Sequence, residues 1–197
     1  TIIGIIVGTI SAAKKSQIHD HILRLGSLFL LSIPVFSMAP ILVLIFSIQF
    51  NLLPVSEWGQ LKHLILPATT LILPLSAIIS RVMRTRYLEE YQSPWVRVLH
   101  AKGLSPMAIH LRIVKVSLTS VFNIVAIQLS VVLAGTMITE AIFDIPGIGL
   151  LLFESIQNRD YPIIQGVILY SSIIYIASYF LIELLNEYID PRIKSEA

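Results

Sequence analysis

An all-α fold, a polytopic transmembrane helical bundle, is predicted for this chain by three observations. Only 13% of the 197 residues are charged while 55% are hydrophobic, whereas soluble domains carry about 25% charged residues. The apolar residues fall in long runs without Asp, Glu, Lys or Arg: Leu25–Ser56, His63–Ser80, Val116–Thr139 and Tyr161–Ile182. Most of the Lys and Arg residues are gathered into segments that alternate with these runs.

Each charge-free run can hold about 20 helical residues, enough to cross about 30 Å of hydrocarbon. The elements are predicted in order as helices near 1–13, 26–50, 64–88, 114–139 and 163–188. The first apolar stretch, Thr1–Ala13, is too short to cross alone. It starts without Met or a basic n-region, so it reads as the end of a span rather than a signal peptide. Gly4 and Gly8 in it form a G-x-x-x-G compatible with close helix packing. Pro34 and Pro40 in the second helix, and Pro67 and Pro74 in the third, are expected to bend them. Within a membrane bundle, neighbours can satisfy the carbonyls that proline frees.

Orientation follows from the cations. Lys14, Lys15 and Arg24 precede the second helix. Arg81, Arg84, Arg86, Arg97, Lys102, Arg112 and Lys115 separate the third from the fourth, and Arg192 and Lys194 follow the fifth. These segments share one side and hold 12 of the 14 cationic residues; only Lys62 and Arg159 lie on the other. The basic side and the C-terminus are therefore expected in the cytoplasm. The segment Glu140–Asp160, with Glu140, Asp144, Glu154 and Asp160, is expected outside. There are no cysteines, so disulfides and thiolate chemistry are excluded. The net charge of +2 says little as a total; membrane lipid is expected as a partner and nucleic acid is not.

The segment between the third and fourth helices carries the clearest local signals. Ser93 suits an N-cap and Pro94 the first helical position. Gly103 suits the left-handed residue that ends a helix. Ser105-Pro106 repeats the start signal. A short helix over about 94–102 is predicted, roughly 13 Å long, followed by a sharp turn into a second helix. It mixes Trp95, Val98 and Leu99 with Arg97, His100 and Lys102. Such a helix either lies under the bundle at the membrane surface or docks into a groove on a partner.

Trp95-Val96-Arg97 followed by Ala101-Lys102-Gly103-Leu104 resembles the coupling-loop signature of bacterial binding-protein-dependent ABC permeases, closest to the dipeptide, oligopeptide and nickel branch. Glu140-Ala141-Ile142-Phe143-Asp144-Ile145-Pro146-Gly147-Ile148-Gly149 resembles that branch's outer-loop pattern. Arg159-Asp160-Tyr161-Pro162 matches its next motif, and Asp190-Pro191-Arg192 its usual ending. Two departures stand out: Arg97, Val98 and Leu99 occupy places where the general pattern has a glutamate and two alanines, and Lys115-Val116 replaces a Leu-Pro pair.

The resemblance spans essentially the whole chain and implies the following expectations. Residues 1–197 would be one transmembrane permease domain, a methionine-importer-like core with about five helices, lacking the family's N-terminal span and external segment. Residues 89–106 would be its cytoplasmic coupling loop. The chain would translocate peptides or nickel across the bacterial cytoplasmic membrane. Its partners would be a second permease subunit, two ATPase subunits that bind ATP and Mg, and an extracytoplasmic substrate-binding protein. The chain would not itself be an enzyme, and its sequence has no G-x-x-x-x-G-K-[ST] phosphate loop.

Candidate residues follow. Trp95, Arg97, Ala101, Lys102, Gly103 and Leu104 are assigned to ATPase coupling; for Arg97 and Lys102 the competing reading is that they only hold the loop inside. Asn123, Gln128, Ser130, Thr136 and Glu140 are candidates for the translocation pathway, or for hydrogen bonds between helices. Pro146, Gly147 and Gly149 are expected to form a turn, and Asp160, Tyr161 and Pro162 to start the last span, with Tyr161 at the aromatic belt. His19 and His21 form an H-x-H without a nearby third ligand, so no metal or other cofactor is assigned to this chain. An ion-coupled transporter or channel is the main alternative; it would need charges buried within spans, and the four runs have none. A membrane enzyme would need convergent acids, histidines or a nucleophile at one membrane face.

Overall fold

The computed structural model describes residues 1–55, 60–133 and 136–189. The described elements are helical: α1 (Ile2–Ala13), α2 (Ile18–Ser32), α3 (Val35–Leu42), a π-helical segment (Val43–Gln49), a 3₁₀ turn (Leu61–Leu64), α4 (Ile65–Gln92), α5 (Pro94–Ala101), α6 (Pro106–Leu133), α7 (Met137–Ile142), α8 (Ile148–Gln157) and α9 (Tyr161–Ile189). Three stretches are long and apolar enough to cross a membrane: Leu61–Gln92, Pro106–Leu129 and Tyr161–Leu184. The pair Ile18–Ser32 and Val35–Gln49 makes a fourth if taken as one broken span.

Three expected boundaries change. The helix expected over 26–50 is two helices, because Pro34 sits outside helix with φ −58° and ψ 140° and starts α3. A proline disfavours α-helix at the residue before it, here Ile33. Pro40 and Pro74, by contrast, lie inside α3 and α4. The helix expected over 114–139 begins earlier, at Pro106, and ends at Leu133; Thr136 opens the separate helix α7. The segment 140–160, expected as an outer loop with a turn at Pro146–Gly149, contains the end of α7 and all of α8.

The chain forms two compact units. Among the described residues, one comprises 1–31, 75–126 and 180–189, the other 32–55, 60–74, 127–133 and 136–179.

In the first unit, Ala12 of α1, Ile79, Met83 and Tyr87 of α4, Val96 of α5, and Ile109, Ile113 and Val121 of α6 form one buried apolar cluster. Gly4 and Gly8 let α1 lie directly on α4. A Cβ on Gly4 would stand 2.7 Å from the Ile79 side chain and from the Ser76 carbonyl oxygen. A Cβ on Gly8 would collide with the Ser80 carbonyl and stand 2.8 Å from Met83 Cβ. The G-x-x-x-G is thus a packing seam, as small residues in membrane helices permit.

Polar contacts reinforce the seam. Ser27 and Ser80 hydroxyls lie 3.0 Å apart between α2 and α4. Asp20, 2% exposed, accepts hydrogen bonds from Ser11 Oγ (2.6 Å), the Ser16 N–H (3.1 Å), and Arg84 Nε and Nη2 (both 2.8 Å). Asp20 precedes the charge-free run that starts at Leu25. The Arg84 guanidinium supplies the opposite charge that the buried carboxylate requires.

In the second unit, α7 packs against α8 and against α3. α7 ends where Asp144 takes φ 53°, and the Ile145 N–H donates to the Glu140 carbonyl at 2.9 Å. α8 ends in the same way. Arg159 takes φ 55°, its N–H donates to Ile156, and the Asp160 N–H donates to Ser155. Asp160 then caps α9, accepting the Ile163 N–H at 3.3 Å. One tetrapeptide, Arg159-Asp160-Tyr161-Pro162, therefore ends one helix and begins the next.

Candidate functional site

The predicted short helix exists as α5, about 12 Å long. Pro94 holds its first position, Ser93 its N-cap place. The Ser93 hydroxyl serves the preceding helix instead, donating to the Glu89 carbonyl at 3.3 Å. The far end is closed by Gly103, with φ +74°. The Gly103 N–H donates to His100 at 2.9 Å and the Leu104 N–H to Leu99 at 3.3 Å. This paired arrangement is the Schellman closure, with Leu99 and Leu104 as its apolar pair; both pack on the buried cluster. Ser105 then starts α6, its hydroxyl accepting the Ala108 N–H at 3.3 Å.

Tertiary packing sorts the α5 side chains. Val96 is 2% exposed, and Trp95 and Leu99 pack beside it. Trp95 Nε1 donates to Glu90 Oε2 at 2.9 Å. Tyr87 Oη and His110 Nδ1, 2.7 Å apart, join α4 to α6. Arg97, Val98, His100, Ala101, Lys102 and Gly103 remain exposed. Three apolar side chains flank them in sequence and are also exposed: Tyr91, Met107 and Leu111. Of the six residues assigned to coupling, Trp95 and Leu104 thus belong to the bundle side of α5, while Arg97, Ala101, Lys102 and Gly103 face outward.

A second feature of the same unit is a groove of about 630 Å³ along one face of α4 and one face of α6. Arg81, Thr85, Arg86 and Glu89 of α4 line it together with Ser120 and Asn123 of α6. Among the pathway candidates whose side chains are described, Asn123 lines this groove.

The remaining pathway candidates fall in the second unit. Gln128 is half-buried; the side chain of Ser130 lies outside the described residues, as do Asp190, Pro191 and Arg192. Thr136, Gly147 and Gly149 come together around the Glu140 carboxylate, and Pro146 directly precedes Gly147. Glu140 is 8% exposed. Its Oε1 accepts the Thr136 N–H at 3.0 Å, and its Oε2 accepts the Leu150 N–H at 2.8 Å. Leu150 lies in the first turn of α8, so Glu140 supplies that helix N-terminus with a negative charge and an acceptor. A Cβ on Gly147 would overlap the Glu140 carboxylate, and one on Gly149 would stand 2.7 Å from the Met137 nitrogen. The two glycines exist to admit the carboxylate and the α7 backbone. Asp160 caps α9, while Tyr161 and Pro162 are exposed in its first turn.

Sequence reasoning passes over Asp20, Arg81, Glu89 and Glu90 as site residues. It reads Arg84 only as a cation that sets orientation. The acidic partner of Arg84 lies 64 positions away, and no local pattern connects them.

Residues 4–195 match the family model of the binding-protein-dependent transport system inner membrane component. The chain belongs to that family. Among similar proteins, the dipeptide transport system permease protein DppB of Bacillus subtilis is 34% identical over 192 residues, covering 97% of this chain and 62% of that protein. A probable peptide ABC transporter permease protein, y4tP, of Sinorhizobium fredii is 34% identical over 201 residues, covering 98% of this chain and 64% of that one. The dipeptide transport system permease protein DppB of Escherichia coli is 32% identical over 227 residues, covering 98% and 67%. The permease-family chain thus spans 62% to 67% of the length of these relatives. The family and the long apolar helices make it a multi-pass membrane protein.

Proposed function

We propose that this chain is the core of a permease subunit of an ATP-binding-cassette importer that carries short peptides across the bacterial cytoplasmic membrane. A second permease subunit completes the pathway, two separate ATPase subunits bind ATP and Mg, and an extracytoplasmic binding protein delivers the substrate. The basic ends of the helices and the C-terminus face the cytoplasm, following the positive-inside rule. Peptide is favoured over nickel because the relatives are named for peptide transport.

The observation that carries the reading is the construction of α5. Its inward side chains are embedded in the buried cluster of α1, α4 and α6, and its outward face offers Val98 with Arg97 and Lys102 to a partner. A short helix closed at its end and fixed on one side transmits a push at its free face to the long helices it packs on.

The test is reconstitution. The permease pair, with and without the ATPase subunits and binding protein, is placed in liposomes and the uptake of labelled di- and tripeptides is followed. Uptake is expected only with ATPase subunits and ATP present. Uptake by the permease alone, driven by an ion gradient, would establish the secondary-transporter alternative. Uptake of nickel in place of peptides would reassign the substrate.

A further inference from the structure

The groove between α4 and α6 has a polarity that the coupling role does not use. Its α4 wall is one helical face, Ile78, Arg81, Val82, Thr85, Arg86 and Glu89, spaced by three and four residues. The opposite edge of α4, with Ile79, Met83 and Tyr87, is buried in the core. Arg81 has no hydrogen-bond or ion-pair partner among the described residues. Among the described residues, the Glu89 side chain pairs with Arg86 alone, at 3.0 Å, and both side chains are more than half exposed. A surface pair of this kind is weak and readily exchanged. Between the two ends lie hydroxyls of Thr85 and Ser120 and the apolar side chains of Val82 and Ile124.

We infer that this groove is a binding site for a short zwitterionic peptide, with the peptide's carboxylate on Arg81 and its ammonium group on Glu89. The inference rests on the peptide reading above and adds the place and polarity of substrate contact. The dimensions select the ligand. Arg81 and Glu89 are eight residues apart on one helix, about 12 Å. An extended peptide advances about 3.3–3.6 Å per residue, so three or four residues cover that span. A zwitterionic lipid headgroup, whose charges are joined by a two-carbon link, is too short to join the two ends. A guanidinium is suited to a terminal carboxylate because it offers paired donors. The unspecialised wall between the ends leaves peptide side chains unread, so termini and length are what the groove selects.

The experiment uses the assembled transporter in nanodiscs without its binding protein. Binding of trialanine is compared with its C-terminal amide and its N-acetyl form. The wild-type complex is expected to prefer free trialanine over either blocked form by about tenfold, the loss of one charge-assisted contact. Arg81→Gln should abolish the preference over the amide, and Arg81→Lys should restore part of it. Glu89→Gln should abolish the preference over the N-acetyl peptide alone. Both residues are exposed, and a melting measurement on each variant confirms that folding is unchanged. Equal binding of free and blocked trialanine by wild type, or unchanged ratios in both variants, overturns the assignment. So does displacement of the peptide by added phosphatidylglycerol with no sensitivity to its termini, which would give the groove to lipid. ATP-driven trialanine uptake by the same complex with its binding protein separates the two levels. If uptake persists while the ratios are unchanged, the groove assignment fails and the transport function stands; if no uptake occurs, the transport function itself fails.

Discussion

Arg84 grips Asp20 with two parallel hydrogen bonds of 2.8 Å, from Nε to Oδ1 and from Nη2 to Oδ2. The pair fastens the turn between α1 and α2 to α4, two to three helical turns before α5. A planar guanidinium facing a carboxylate in this way is the strongest common geometry for such a pair. Ser11 and the Ser16 N–H complete the carboxylate's shell.

Asp20→Asn is expected to lower stability by about 3 kcal/mol, because it leaves a guanidinium facing a neutral group at a largely buried site. Asp20→Asn combined with Arg84→Met should recover part of the loss, since the stranded charge is then removed. Thermal unfolding of the four proteins in detergent gives the coupling directly. Two single-variant losses that simply add would show that the pair does not act as a unit.

A Cβ on Gly103 would meet nothing within 4 Å, so only the backbone conformation matters there. Gly103→Ala should cost about 1 kcal/mol at φ +74°, with modest loss of transport per ATP hydrolysed. Gly103→Pro also removes the N–H that donates to His100 and fixes φ on the wrong side. It should uncouple hydrolysis from uptake while membrane insertion is retained. Normal coupling in the proline variant would remove α5 from the mechanism.

Gly147→Ala should destabilise the second unit by roughly 2–4 kcal/mol, since its methyl group occupies the space of the Glu140 carboxylate. Glu140→Ala should cost about 2–3 kcal/mol by stranding the Thr136 and Leu150 N–H groups. The two changes together should cost less than their sum, because the methyl clashes with a carboxylate no longer there. Melting curves of the three variants test this; simple additivity would mean that Gly147 serves another purpose.

Gly8→Ala should loosen α1 from α4 by about 1–3 kcal/mol, and Gly8→Leu should prevent their contact, as the Cβ position is already taken by the Ser80 carbonyl. Cysteine pairs placed on α1 and α4 would report this as reduced crosslinking. Unimpaired crosslinking in Gly8→Leu would show that the seam is not needed.

Local chemistry was readable wherever one residue type suits one backbone geometry. Ser93-Pro94 and Gly103 bound α5 within one residue of the expectation, and Asp160 starts α9 because its short carboxylate reaches a free N–H. Pro34 was legible as a bend, but its strength was not. A proline inside a helix, such as Pro74, and one that ends it are chemically identical, and the surrounding packing decides between them. The division between α6 and α7 falls inside one charge-free run, Val116–Thr139, which reads as a single span although Gly135 and Thr136 are residue types that suit a helix stop and an N-cap.

By itself the sequence determined that the chain is an all-α membrane protein, which side of it is basic, and where its capped helix begins and ends. Those properties depend on composition and on neighbours within about four positions, so they are written locally. Only the tertiary structure decided what the polar residues do. It turned Glu140, a pathway candidate, toward the backbone of its own segment, and it joined Arg84 to Asp20. It also placed Trp95 inward and Arg97 outward on one helix, and set Arg81 and Glu89 along one groove wall. Each of these outcomes depends on which faces pack together, and that is fixed by contacts between residues distant in the chain.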